Sequence, residues 1–181
     1  ISPDTASLEI IDLAKNTNAD FVLKISTNFD QKRVSTQLFD GSDGRNFWTK
    51  FLTDKDIGGG KDFVDEATGI ISAHVAGHDG AIHRKILKRA LVKKDEDLTP
   101  MELLQLGKSI WEEVTMDKLL KAIEYLERCI ELNPEISTAY AVLSEVYLHD
   151  IRGEYNQIPD ALQKAKEASR RSIQLDSNNA L

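Results

Sequence analysis

Apolar positions along this chain change their spacing twice, and the changes divide it into an alternating stretch between two helical ones. Leu8, Ile11 and Ala14 fall on one face of a short helix, with Ser7 as its N-cap and Asn16-Thr17-Asn18 as its end; Ser2-Pro3-Asp4 offers an earlier start. From Asp20 to Thr27 the period becomes two, with Phe21, Leu23 and Ile25 on one face and Val22 and Lys24 on the other. After the polar turn 28–31, residues 32–39 alternate again, with Val34, Thr36 and Leu38 facing together. Asp40-Gly41-Ser42-Asp43-Gly44 supplies turn residues able to take positive φ, and 45–52 reads as a third strand. Three consecutive strands predict a meander.

Gly58-Gly59-Gly60 marks a loop over 54–61. Helical spacing then returns in Phe63, Ala67, Ile70, Ile71, His74 and Val75, until Gly77-His78-Asp79-Gly80 interrupts it. A basic segment over 81–94 leads to Asp95-Glu96-Asp97. Thr99 then stands where a helix cap belongs, with Pro100 at the first helical position, which places a domain boundary between 97 and 98.

The C-terminal half repeats itself. KAIEYLERCIELNP (121–134) and KAKEASRRSIQLDS (164–177) align at an offset of 43 residues with six of fourteen positions identical. Leu103, Leu106, Gly107 and Ile110, then Ala122, Leu126, Cys129 and Pro134, keep the spacing of the tetratricopeptide (TPR) pattern, a helix with W-x2-L-G-x2-Y followed by one with A-x3-F-x2-A and a closing Pro. Tyr140, Leu143, Ser144 and Tyr147, then Ala165, Ser169, Ser172 and Ser177, repeat it. The repeats thus span about 103–134 and 140–177, and a protruding loop is expected over 149–159 because the second turn is enlarged.

The order of elements as a whole resembles the TolB N-terminal-like α/β domain followed by TPR repeats, an arrangement of regulatory regions in bacterial class III adenylate cyclases and membrane-anchored winged-helix transcription regulators. The residues that carry the likeness are SLEIIDLA (7–14), ADFVL (19–23), RVSTQLFD (33–40), the turn at 41–44 and FWTK (47–50). The resemblance implies an α+β chain: a partial α/β domain with a β-meander and flanking helices over 1–97, then an all-α TPR-like helical-repeat domain over 98–181. In that family a further strand–helix–strand portion precedes the position of Ile1. It also implies a non-catalytic region that senses or docks a partner and biases an output domain elsewhere, on the cytoplasmic or periplasmic side of a parent that is membrane-anchored. The alternative is a TPR adaptor in assembly or secretion.

Charge and chemistry fit that picture without sharpening it. The net charge of −7 divides into −2 for 1–97 and −5 for 98–181, so neither half carries the basic footprint of a nucleic-acid binder. No apolar run approaches the ~20 residues that span a bilayer. The single cysteine, Cys129, excludes an internal disulfide and sits at a small-residue position of the repeat, which is a buried place for a thiol. His74, His78 and His83 are the sharpest metal candidates, yet glycines break the helix among them and no Glu completes an H-E-x-x-H, so neither metal nor cofactor is expected. Asp40 to Gly44 lacks the order of a calcium loop, and Lys61-Asp62 after the triple glycine does not complete a phosphate loop. The expected ligand is a protein or peptide lying on the first-helix face, touching Gln105, Lys108, Trp111, Glu112 and Tyr140. Because stacked repeats bury one another's flanks, two of them predict an apolar flank covered by the α/β domain, a capping helix or a second copy of the chain.

Overall fold

The computed structural model describes residues 5–28, 30–57, 63–77, 80–111 and 115–178. The fold is α+β and separates into two compact units, Ile1–Arg84 and Lys85–Leu181.

In the first unit, α1 (Thr5–Thr17) is followed by β1 (Phe21–Asn28), β2 (Arg33–Asp40), β3 (Asn46–Thr53) and α2 (Phe63–Ala76). The strands form an antiparallel sheet in the order β1-β2-β3, the meander that the alternation predicts. Leu23 pairs with Leu38 and Ile25 with Thr36, while Val34 pairs with Leu52 and Leu38 with Trp48. One face therefore carries Leu23, Ile25, Val34, Leu38, Leu52 and Trp48. Ala67, Ile71 and Val75 of α2 pack on Val34, Leu38 and Leu52 to make the core, and the opposite face carries Lys24, Gln37 and Thr49. On β2 the period of two follows from one face being buried, whereas on β1 the same face stays open and Leu23 and Ile25 are exposed.

The β2–β3 turn is built by its polar residues. Asp40 accepts from the Ser42 backbone N–H (3.0 Å) and hydroxyl (2.6 Å), and Asp43 accepts from the Arg45 N–H. Gly44 has φ +69°, and a Cβ there would overlap the Ser7 carbonyl, so only glycine fits. The ladder slips between Leu38 and Phe39, where the Asn46 side-chain amide bridges the Leu38 and Trp48 carbonyls. Ser7 lies inside α1, not at its cap, which corrects the expected helix start. The Gly58-Gly59-Gly60 loop and His78 lie outside the described residues.

Chain continuity carries α3 (Ala81–Ala90) from the first unit into the second, where a 3₁₀ turn (Asp95–Asp97), α4 (Pro100–Trp111), α5 (Met116–Leu132), α6 (Ser137–Arg152) and α7 (Ala161–Leu175) follow. α4 starts at Pro100, as the Thr99-Pro100 pair predicts, while the compact units divide earlier in the chain, at 84/85. Thr99 and Glu102 form a capping box in which the Glu102 carboxylate accepts from the Thr99 N–H (2.9 Å) and hydroxyl, while the Glu102 N–H reaches back to the Thr99 oxygen. Lys93 lies 2.8 Å from the other carboxylate oxygen.

Each helix packs on the next, α4 on α5, α5 on α6 and α6 on α7. Directions follow from the contacts. Leu104 lies by Cys129 and Gly107 by Leu126 and Ala122, so α4 and α5 run antiparallel. The Ser144 hydroxyl donates to the Ala165 carbonyl (2.9 Å), and Lys164 stands near the Tyr147 ring, which orients α7 against α6 in the same way. Leu119, Ala122, Leu126 and Cys129 bury one stripe of α5 against Leu103, Leu106, Val142 and Val146.

The loop expected from His149 begins later. Residues 149–152 extend α6, and Gly153 then ends the helix. Asp150, 1% exposed, fixes the chain beyond it by accepting from the backbone N–H groups of Gln157 (3.1 Å) and Ile158 (3.2 Å). Among the described residues no helix is long and apolar enough to cross a membrane.

Candidate functional site

α6 lies between α5 and α7, and over it opens a groove of about 480 Å³. Tyr140, Leu143 and Tyr147 of α6 form its floor; Glu127, Ile130 and Glu131 come from α5, and Lys164, Glu167, Ala168 and Arg171 from α7. The floor residues stand at i, i+3 and i+7 of one helix, so they form a continuous ridge about 10 Å long. The volume falls within the about 300–1,000 Å³ typical of ligand-holding clefts.

The two walls differ in charge. Glu127 and Glu131 stand one turn apart on α5, whereas α7 presents Lys164 and Arg171 with Glu167 between them. The Tyr147 hydroxyl donates to Glu127 (3.0 Å). Burial of Tyr147, followed by that neighbouring carboxylate, pushes its phenol well above the ordinary value, so it stays a neutral donor. Arg171 reaches Glu135 (3.3 Å), with both side chains exposed, an arrangement worth little energy and easily exchanged for another partner. Glu167 accepts from Gln163 (2.6 Å).

Of the five residues expected to hold a peptide, Tyr140 lines this groove. Gln105 is 6% exposed within a stretch of α4 buried from Glu102 to Gly107, and Lys108 is half-buried on the same helix. Trp111 closes α4, but its side chain lies outside the described residues, as does Glu112. His74 and His83 each direct a ring nitrogen at a backbone carbonyl, of Ile70 (2.8 Å) and Gly77 (2.7 Å). Among the described residues no three His, Cys, Asp or Glu side chains converge as a metal site requires. Cys129 is fully buried and its thiol is pushed up to about 11 by burial, with the Leu104 backbone hydrogen bond offsetting only part of the rise.

A second, apolar groove of about 390 Å³ lies in the first unit between β1 and α2, lined by Leu23, Ile25, Val34, Phe63, Ala67 and Ile71 among others. Among the described residues its lining includes no charged side chain to select a ligand.

The acidic and basic walls of the α6 groove escaped sequence reading, although a signal for the space between them is present. At the 43-residue offset Ala168 stands where the first repeat has Tyr125, and Ser169 where it has Leu126. In the first hairpin Tyr125 is buried, its hydroxyl donating to Asp95 (3.2 Å). In the second, the equivalent position ends at a methyl group, and the space opens over α6.

No protein-family model, curated protein or solved structure matches this chain.

Proposed function

We propose that this chain is a non-catalytic protein-interaction region of a bacterial signalling protein, a TolB N-terminal-like α/β portion joined to TPR-like helical repeats that dock a partner. The observation that carries the reading is the groove over α6, an apolar and aromatic floor between charged walls on a scaffold of packed helices. Supporting it, Gly107 brings α4 against Leu126 of α5 at the position where the repeat pattern places its glycine. The serine at the corresponding place in the second hairpin, Ser144, bonds the Ala165 carbonyl.

The interaction reading is tested by panning linear and helix-forming peptide libraries on the purified chain. Enrichment of a related set of sequences that bind with one-to-one stoichiometry supports it, and failure of every library to enrich a binder overturns it. The signalling assignment is tested separately by the sequence upstream of Ile1. A winged-helix or cyclase domain there supports it; a plain signal peptide favours the adaptor reading.

A further inference from the structure

Resting on that interaction reading, we propose that the α6 groove receives an amphipathic helix of a partner protein. The helix seats a bulky apolar side chain beside Ala168, basic residues along its edge toward Glu127 and Glu131, and acidic residues along its edge toward Lys164 and Arg171.

Three features lead to this occupant. The space beside Ala168 is the one that Tyr125 fills in the first hairpin, so its natural complement is a large side chain supplied from outside. The floor, Tyr140, Leu143 and Tyr147, is a helix ridge, and a second helix lays its own i, i+3/i+4, i+7 stripe against such a ridge between two flanking helices. The walls then set the direction. Two carboxylates line one side without an intervening cation, while two cations with a single carboxylate between them line the other. A helix with basic and acidic residues on opposite edges satisfies both walls in one orientation and meets like charges in the reverse one. This charge pairing selects among partners and fixes register more than it adds affinity.

The location departs from the first-helix face. α5 and α7 are the second helices of the two hairpins, so the partner helix lies between second helices with α6 beneath it.

The test is selection from a displayed library of helical peptides with a fixed apolar stripe and randomised edges, run on the wild-type chain and on two variants. Glu131→Lys combined with Lys164→Glu, both at exposed positions, cancels the acidic wall against Glu127 and leaves the α7 wall net acidic; Ala168→Tyr restores the first-repeat residue and fills the groove. Wild type is expected to enrich peptides basic on one edge and acidic on the other. The double variant should move the basic edge of the enriched peptides to the α7 side, with at least tenfold weaker binding of the wild-type peptides. Ala168→Tyr, its folding checked by circular dichroism, should lose both sets. Peptides that bind all three proteins equally overturn the groove proposal while leaving the interaction reading intact. Enrichment without a charge preference overturns the orientation and with it the proposal. Concentration-dependent dimerisation abolished by Ala168→Tyr makes a second copy the occupant, and also overturns it. No enrichment on any protein, from any library, removes the interaction reading itself.

Discussion

Replacing Gly107 and Gly69 by alanine, one at a time, should shift stability in opposite directions. Both glycines lie inside helices, Gly107 in α4 and Gly69 in α2, so each replacement gains about 1 kcal/mol of helix propensity through the less flexible unfolded chain. What the new methyl group meets decides the sign. At Gly69 a Cβ has nothing within 4 Å, and the whole gain should appear. At Gly107 it would lie 2.7 Å from Leu126 Cγ and 2.9 Å from Cδ2. That is about 1 Å inside a normal carbon–carbon contact. Leu126 is fully buried among Leu103, Leu119 and Val146, so it cannot turn away without disturbing them. Overpacking of this kind costs about 1–3 kcal/mol, leaving Gly107→Ala net destabilising by about 1 kcal/mol. The two variants should therefore differ by about 2 kcal/mol, which is several degrees in the melting temperature of a unit this size. Urea titration followed by circular dichroism gives the overall values, and hydrogen-exchange mass spectrometry assigns each change to peptides of α2 or of α4 and α5. If Gly107→Ala is as stable as wild type, or more so, the close approach of α4 and α5 is not a stability determinant and the repeat register loses its main physical support.

Four further outcomes are expected. The Glu102 carboxyl is raised by burial, but hydrogen bonds from Lys93 and from the Thr99 N–H and hydroxyl outweigh this and hold it below its usual 4.5. A depressed folded value means that its stabilisation is fully present above about pH 4.5 and is lost as pH falls through the folded value; acid titration of unfolding should show this component in wild type and lack it in Glu102→Gln. Thr99→Ala should cost about 0.5–2 kcal/mol by removing the cap, measured by urea denaturation. Asp150→Ala should cost about 1–3 kcal/mol, because the Gln157 and Ile158 N–H groups lose their acceptor, and limited proteolysis should then cut within 153–159 faster than in wild type. Cys129 should resist Ellman's reagent in the native chain and react on unfolding; rapid native labelling would contradict its burial and its raised thiol value of about 11.

The sheet was legible because burial imposes its own period. Val34, Thr36 and Leu38 alternate with less buried neighbours since α2 covers one face of β2, and a register slip would expose them all. The start of α1 was less legible, because Ser7 has the chemistry of a cap and yet lies inside a helix that already includes Thr5, and local sequence does not decide which hydroxyl residue begins it. The end of α6 was misplaced for a tertiary reason. His149 to Arg152 have no helix-breaking chemistry, and the chain leaves the helix at Gly153, where Tyr155 packs against the backbone and Asp150 reaches forward to the Gln157 and Ile158 N–H groups. The side chain that organises this turn lies in the helix before it, and no local propensity shows that.

The position of the groove has the same origin. A repeat pattern marks residues that face the neighbouring helix, and it leaves open which of the remaining faces stays accessible once all the helices have packed. Every residue of α4 from Glu102 to Gly107 is buried, so Gln105 offers little surface, although its spacing alone resembles that of a ligand-facing residue. α6 is buried nearly as thoroughly, with Leu143 and Tyr147 showing only a sliver of surface, yet half-buried Tyr140 lines an open groove where α7 presents Ala168 and α5 presents Tyr125. Accessibility here depends on a difference between two copies of one pattern. The informative comparison is therefore repeat against repeat: where a large residue in one copy becomes a methyl group in the other, the lost volume must be filled by rearrangement, by water or by a ligand. In this structure α5, α6 and α7 keep the space open, and the charges at its two sides are what a ligand must match.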